Sequence, residues 1–507
     1  MDHSPLHETG HSRPTELGRE QFRIWKERRD ILLADIFGPE TSAFRREHML
    51  GQTRLELPRS DHLIPIGLLL AGCLVSSLLI AYGAMAQTPG LKTGANTESP
   101  AAPFFIDLDG LDFKTSPPKR DPHNPKFPSA TELPDGVLPT TNAQGNFIIG
   151  PTHTPGPETV ARDIPKGKVT TFTMTSEDSA IYNPGLTRDG SLKLASTFPD
   201  DPSNLIVSTS RPGTWIRSIS VYVPKQLAGS GRSPFMVVGD GGWLDATIFT
   251  VLDNLIGQKK LPPMIAITIQ AGGQDAQGSE RGREYDTVSG AYAEFVELEV
   301  IPLVERRTGV RLSHDPDARA TMGFSSSGAA AFSMAWFHPE LYHRVLAYSP
   351  TLVNQQWPHS TALRGGAWEY HSSWPGPNDG PVLNAKGFGA PTTTEMTLGS
   401  PLIAKSAPKP MRVWFEVGDR DLWYPINSMD DGMHDWVLAS ERMAMALAGK
   451  GYTYQFIFSR NAGHVDQPTF FQTLGLALQW VWAGYHRHDI DDCECRVRPT
   501  AAGRGPD

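Results

Sequence analysis

Six short apolar runs, rich in β-branched residues and separated by stretches of helical pattern, constrain this chain more than any other feature. They fall at residues 234–238, 264–270, 319–323, 344–349, 411–417 and 454–458. A strand covered on both faces reads as continuously apolar rather than alternating. Helical patterns lie between and after these runs, at 246–257, at 292–307 with a bend or restart at Pro302, and at 432–448. Strands that alternate with helices of this length predict a largely parallel, doubly wound sheet. Two alternating, β-branched runs at 168–175 and 217–224 predict its opening strands.

The rest of the 507 residues sorts by composition. Residues 63–86 form an uncharged apolar run long enough to span a hydrocarbon core, which predicts an export signal or a membrane segment behind an N-terminal extension, 1–62. Ala84-Met85-Ala86 fits a signal cleavage site, whereas Leu70-Ala71-Gly72-Cys73 fits a lipobox whose cysteine is acylated. The expected location is therefore secreted or periplasmic, with a membrane anchor or lipoprotein as the alternative. Residues 87–165 carry 14 prolines and read as an extended linker or lead-in, on which short islands at 104–106 and 147–149 dock against the main body. The main domain is expected at 166–486 with an insertion at 355–400, followed by a tail at 487–507.

Charge and cysteine usage exclude several classes. With 46 Lys+Arg against 55 Asp+Glu, the net charge of −9 gives no help to phosphate-backbone binding, so no nucleic-acid partner is expected. Cys73, Cys493 and Cys495 are too few for a disulfide framework and wrongly spaced for structural zinc. His314, His343, His359 and His434 form no recognisable ligand spacing, and neither metal nor cofactor is expected.

Chemistry concentrates at three places. Gly323-Phe324-Ser325-Ser326-Ser327-Gly328 lies between a predicted strand and a small-residue helix, the setting of a nucleophile elbow, where a strained turn exposes a serine hydroxyl. Ser325 has glycine two residues before it, whereas Ser326 has bulky Phe324 there, so Ser325 is the expected nucleophile. Gly418-Asp419-Arg420-Asp421 and Gly463-His464 each follow a later predicted strand, completing the chain order Ser, Asp, His of an α/β-hydrolase. In this assignment His464 is the general base and acid and Asp421 orients it, with Asp419 in reserve. Taken singly, the serine run reads as a helix cap, the aspartate as a turn former and the histidine as a packed residue. The expected oxyanion hole combines the Ser326 N–H with one from the loop Asp240-Gly241-Gly242-Trp243, with Gly241 ahead of Gly242.

Over roughly residues 167–485 the chain resembles the secreted putative-esterase family, which includes enterochelin esterases, feruloyl esterases and other carbohydrate esterases. The elbow is similar to that family's G-x-S-x-G-G, with Ser327 replacing its first paired glycine. Asp421 and His464 match its acid and histidine segments. Arg281-Gly-Arg283-Glu284-Tyr285 resembles its R-x-x-E-[LY] loop near the active site, with Arg281 and Arg283 competing for the arginine, and Glu299-Val-Ile-Pro302 resembles its E-x-x-P segment. The resemblance implies an α/β-hydrolase fold and a serine carboxylic-ester hydrolase working through an acyl-serine, on a carbohydrate-linked or aromatic acyl ester. Alternatives are an enterochelin-type siderophore esterase, a serine acyltransferase and a noncatalytic exported binding protein.

The expected partner is a small-molecule or carbohydrate-linked ester, with transient or lipid-mediated membrane association the further alternative. Substrate-binding candidates are Trp243, Arg283, and Trp357, Trp368 and Trp423, three tryptophans in or beyond the Gly/Pro/Trp-rich insertion. Self-packing of that insertion is the competing expectation.

Overall fold

A computed structural model describes residues 103–107, 129–188, 204–227, 231–273, 278–355, 365–373, 401–422 and 434–485. All of these belong to one unit, Thr88–Asp507. Outside them lie residues 63–86, most of the insertion expected at 355–400 with Trp357, and Trp423, Cys73, Cys493 and Cys495. Among the described residues, no helix is long and apolar enough to cross a membrane.

Thirteen strands appear in chain order: β1 (Pro103–Asp107), β2 (Thr131–Glu132), β3 (Gly145–Ile149), β4 (Lys168–Thr175), β5 (Gly185–Arg188), β6 (Asn204–Gly213), β7 (Ile216–Val223), β8 (Phe235–Gly239), β9 (Ile265–Ile269), β10 (Arg319–Phe324), β11 (Arg344–Tyr348), β12 (Arg412–Gly418) and β13 (Thr453–Ser459). Ten of them form one sheet in the order β2-β3-β13-β12-β11-β10-β8-β9-β7-β4. Every pairing from β2 to β9 is parallel, and only the β9–β7 and β7–β4 pairings are antiparallel. β1, β6 and β5 make a separate antiparallel sheet. The six apolar runs are the parallel strands β8 to β13, because a strand buried on both faces has no polar side to alternate with.

The helices are α1 (Asp245–Gly257), α2 (Glu280–Tyr285), α3 (Ala291–Phe295), α4 (Ile301–Thr308), α5 (Ser326–Phe337), α6 (Leu402–Lys405), α7 (Trp436–Gly449) and α8 (Gln467–Trp482). Side chains of successive strand residues point to opposite faces, and the two cores follow that alternation. Met236, Val238, Met322, Phe324, Leu346 and Trp414 pack with α1 and α8 on one face. Val237, Ile267, Val345, Ala347, Val413 and Phe415 pack with α3, α5 and α7 on the other. The bend expected at Pro302 is a π-helical turn, Val296–Val300, between α3 and α4. Proline lacks the N–H for an i→i−4 bond and its ring crowds the preceding turn; widening that turn accommodates both. This mostly parallel, doubly covered sheet is an α/β-hydrolase fold.

The lead-in departs from its composition. β3, at the end of a proline-rich stretch, pairs in parallel with β13, from Gln455↔Gly145 to Ser459↔Ile149. Ile148 and Ile149 are 1% exposed, so the island expected to dock at 147–149 is a strand of the sheet, and it lies ahead of the boundary expected at residue 166.

Candidate active site

In a parallel sheet all the strands end at the same edge, which gathers residues far apart in sequence. Ser325 follows β10, Asp421 follows β12 and His464 follows β13. Ser325 takes φ 55°, a left-handed conformation uncommon in non-glycine residues, and starts α5. The turn requires glycine at 323, where a Cβ would sit 2.1 Å from the Ser327 carbonyl oxygen. The Ser325 N–H donates to Tyr348 O (3.0 Å), and its carbonyl accepts from the Thr351 N–H (3.0 Å). Its hydroxyl lies 2.8 Å from His464 Nε2 and 3.3 Å from Thr351 Oγ1.

Behind the imidazole, His464 Nδ1 is 2.6 Å from Asp421 Oδ1, and the Leu422 N–H donates to that same oxygen at 2.6 Å. Asp421 is fully buried at its side chain, whereas the imidazole is about one-fifth exposed. An edge-on contact with the buried Trp436, at 5.8 Å between ring centres, backs the imidazole. Asp419 does different work: its carboxylate accepts the Ala462 N–H, and its own N–H donates to Ser459 O, tying the acid turn to the histidine loop. The backbone of that loop is strained. Val465 takes φ 47°, severe for a β-branched residue, and its N–H is held by Ser349 Oγ at 2.8 Å, Ser349 itself lying at φ 44°. Asp240 (φ 54°) and Asn461 (φ 60°) complete a set of five left-handed non-glycine residues along this edge.

Ser327, which replaces a glycine of the resembled motif, closes the elbow on itself. Its hydroxyl donates to Phe324 O (2.8 Å) and accepts the Phe324 N–H (2.7 Å). The departure is thus accommodated by a brace on the residue before Ser325.

The oxyanion loop corrects the expected donors. The Gly241 N–H donates to Ile269 O (2.9 Å), continuing the ladder of β9, and the Gly242 N–H donates to Asp245 Oδ1 (2.9 Å), so both are already engaged. The Ser326 N–H, in the first turn of α5, lies among the amides that no intrahelical carbonyl can reach. The next amide of the loop belongs to Trp243.

The stretch Arg281–Tyr285, which resembles the R-x-x-E-[LY] loop, lies in α2 and supports this loop. Arg281 grips the Asp240 carboxylate through Nε (2.7 Å) and Nη2 (2.6 Å), and Tyr285 Oη accepts the Asp240 N–H (3.2 Å). Burial works against the Arg281 charge, but the hydrogen bond and charge of Asp240 outweigh it and raise the guanidinium pKa. Of the two competing arginines, Arg281 is therefore the one at the loop. Arg283 is a correction: it lies over Tyr182, donates to Pro184 O (2.8 Å) and sits 3.6 Å from Glu280, which commits its guanidinium to scaffold contacts. Glu284 ion-pairs with the buried Arg217. Asp286, next along, is buried and accepts from Gln355 Nε2 (2.8 Å); burial pushes its carboxyl up to about 7, against the lowering effects of Gln355, Arg281 and the Ser326 hydroxyl. The spacing R-x-x-E-Y was the one sequence signal for this support.

The aromatic candidates divide. Trp243 is 56% exposed and meets Phe324, the residue before Ser325, edge-on at 5.8 Å. Leu422, beside Asp421, is 43% exposed. Trp368 is a second correction: it is fully buried, faces His371 edge-on at 5.0 Å and carries Arg442 over its ring, so it anchors the insertion from within. That outcome matches the self-packing expectation for this stretch. Trp357 and Trp423 fall outside the described residues.

No curated protein matches the sequence. Among solved structures, the chain is similar to an enterochelin esterase from Shigella flexneri (19% identity, TM-score 0.34), covering 53% of this chain and 55% of that one. It thus spans about half the length of that relative. It is also similar to a ferulic acid esterase (18% identity, TM-score 0.36, 62% of this chain and 98% of that one). A third similar structure is the feruloyl esterase module from Clostridium thermocellum (12% identity, TM-score 0.35, 69% and 99%). Residues 212–422, which hold the loop Asp240–Trp243, the turn at Ser325 and Asp421, match the family model described as "Putative esterase".

Proposed function

We propose that the protein is a serine carboxylic-ester hydrolase acting through an acyl-serine. The observation that carries this reading is the continuous relay from Asp421 through His464 to the Ser325 hydroxyl, at 2.6 and 2.8 Å. These are hydrogen-bond distances at which a base takes a proton from a nucleophile. In the first step Ser325 Oγ attacks the ester carbonyl carbon while His464 Nε2 takes the hydroxyl proton. Asp421 fixes the tautomer with the proton on Nδ1 and stabilises the imidazolium that results. The tetrahedral oxyanion is held by the Ser326 N–H and, in this reading, by the Trp243 N–H, since both glycine amides of the loop are engaged. Collapse expels the alcohol, which takes the proton from His464. Water, deprotonated by the same imidazole, then attacks the acyl-serine and releases the acid, returning Ser325 to its hydroxyl form.

The substrate class proposed is a carbohydrate-linked or aromatic acyl ester. Support comes from the exposed indole of Trp243 and the exposed Leu422 beside the nucleophile and acid, flat and apolar surfaces on which an aryl group or sugar face stacks. A pre-steady-state comparison of acetyl and feruloyl aryl esters, with wild type and Ser325→Ala, tests the reading. A burst stoichiometric with enzyme, followed by turnover and absent from the variant, is expected. Equal turnover by Ser325→Ala would overturn it, and a burst without preference for the aromatic acyl group would remove the aromatic class alone.

A further inference from the structure

The edge of the sheet opposite the triad holds a second concave feature. Arg344, Arg412 and Thr453 are the first residues of β11, β12 and β13 or their immediate starts. With His343, Lys409 and Tyr452 they line a pocket of about 330 Å³, a size at the lower end of small-molecule sites. Because these strands are parallel, the pocket lies a full strand length from Ser325, Asp421 and His464.

Its charge is unbalanced. Asp317 is the carboxylate at the rim, and it is 61% exposed and 2.9 Å from His343 Nδ1. Arg344, Lys409 and Arg412 have no carboxylate within ion-pair distance among the described residues; the carboxylate ion pairs in this part of the chain go to other partners. Instead, Arg344 donates from Nε to Asp317 O (2.7 Å) and from Nη1 to Val481 O (2.5 Å) and Ala483 O (3.3 Å). Arg412 donates from Nε to Trp480 O (2.8 Å), its guanidinium 4.0 Å from the Trp480 ring. Lys409 Nζ stands 4.8 Å from the Trp336 ring.

Capping the last carbonyls of α8 accounts for two of these nitrogens, Arg344 Nη1 and Arg412 Nε, and the Asp317 carbonyl accounts for Arg344 Nε. These bonds leave Arg412 Nη1 and Nη2, Arg344 Nη2 and Lys409 Nζ without a hydrogen-bonded partner among the described residues, on side chains that line one cavity. Burial, and then the neighbouring Arg344 cation, pull Arg412 down to about 10. Partly buried cations set side by side, with Asp317 the one lining carboxylate and mostly exposed, are costly. A planar guanidinium fork matches the paired oxygens of a phosphate group, and an ammonium adds a point charge.

We propose that this pocket is an anion site for a phosphate group, either free phosphate or a phosphate carried on a small organic molecule, independent of the ester-cleaving site. The test is calorimetric titration of the full-length protein with inorganic phosphate and with glycerol 3-phosphate, at an ionic strength fixed with sodium chloride, for wild type, Arg412→Gln and Lys409→Gln. One saturable site per chain is expected, weakened at least tenfold by Arg412→Gln and several-fold by Lys409→Gln, with ester turnover unchanged in both. Lys409→Gln guards against misfolding, since Lys409 Nζ makes no hydrogen bond among the described residues. Tighter binding of glycerol 3-phosphate supports an organic phosphate, and tighter binding of inorganic phosphate supports the free anion. Absence of saturable heat with either ligand, or binding undiminished in both variants, would overturn the proposal.

Discussion

Ser327→Ala isolates the brace inside the nucleophile elbow. The hydroxyl makes two hydrogen bonds to the backbone of Phe324, at 2.7 and 2.8 Å, and Ser327 is 2% exposed. The parallel pairing of β10 with β8 ends at Met322↔Val238, so no β8 carbonyl stands ready to accept the Phe324 N–H once the hydroxyl is gone. A typical net hydrogen bond contributes about 1 kcal/mol, and a buried donor left unpaired costs about 1–3 kcal/mol. The expected loss is about 2–3 kcal/mol of unfolding free energy. Ser325 itself remains pinned by Tyr348 O and the Thr351 N–H. Turnover is accordingly expected to fall by less than about tenfold, well short of the effect of a misplaced reacting group. Urea unfolding at constant pH, with kcat on an aryl acetate measured in parallel, reads both quantities. Unfolding free energy within about 0.5 kcal/mol of wild type, the range of ordinary neutral substitutions, would refute the brace. So would a collapse of kcat to the Ser325→Ala level at unchanged stability.

Three other outcomes are expected. Asp421→Asn keeps the shape of the relay but favours the wrong imidazole tautomer, and kcat on aryl esters should drop on the order of 10⁴-fold with little change in KM; a drop under tenfold would point to another acid. Gly418→Ala places a Cβ 2.3 Å from Ala462 O, a backbone collision that forces the acid turn and histidine loop apart, so activity should fall at least a hundredfold; near-normal kcat would show that these loops yield freely. For Asp286, burial raises the carboxyl from 3.8 to about 7. A raised acid favours folding while protonated, so its contribution is fully present below about pH 4 and is lost as pH rises through about 7. The span of roughly three pH units corresponds to at most about 4 kcal/mol. Asp286→Asn removes that loss, so its unfolding free energy relative to wild type should increase between pH 4 and pH 8; parallel profiles over that range would contradict it.

How much of this was legible in the sequence depended on what sets each feature. β8 to β13 were readable because burial on both faces writes a continuous apolar run into the chain. β3 was legible only as an island at 147–149 docking on the main body, because its strand character comes from pairing with β13 and the prolines on either side read as a linker. Ser325, Asp421 and His464 were readable as strand-end residues in a fixed chain order, and the structure brings all three within hydrogen-bond reach. The loop donors were misjudged because an amide's direction is set by tertiary partners, here Ile269 O and Asp245, that no local pattern reveals. α2 was legible as a motif near the site, with Arg281 and Arg283 competing, but its packing was not: Glu280 and Glu284 are buried and find partners in Leu186 N, Arg283 and Arg217. For Trp368, composition announced an aromatic but could not say that it faces inward.

The five left-handed side-chain-bearing residues along the catalytic edge divide the molecule into two economies of sequence change. Each such conformation costs on the order of 1–3 kcal/mol and persists only because its surroundings impose it. The sixth residue of this kind, Lys259, stands just past the end of α1 and away from that edge. Variants selected for heat resistance alone would drift toward glycine at Asp240, Ser349, Asn461 or Val465 and relax the scaffold that aims the imidazole. Selection that also demands turnover would leave those positions alone and collect its gains on the outer faces of α1, α4 and α8, where a substitution touches neither the relay nor the loops that hold it.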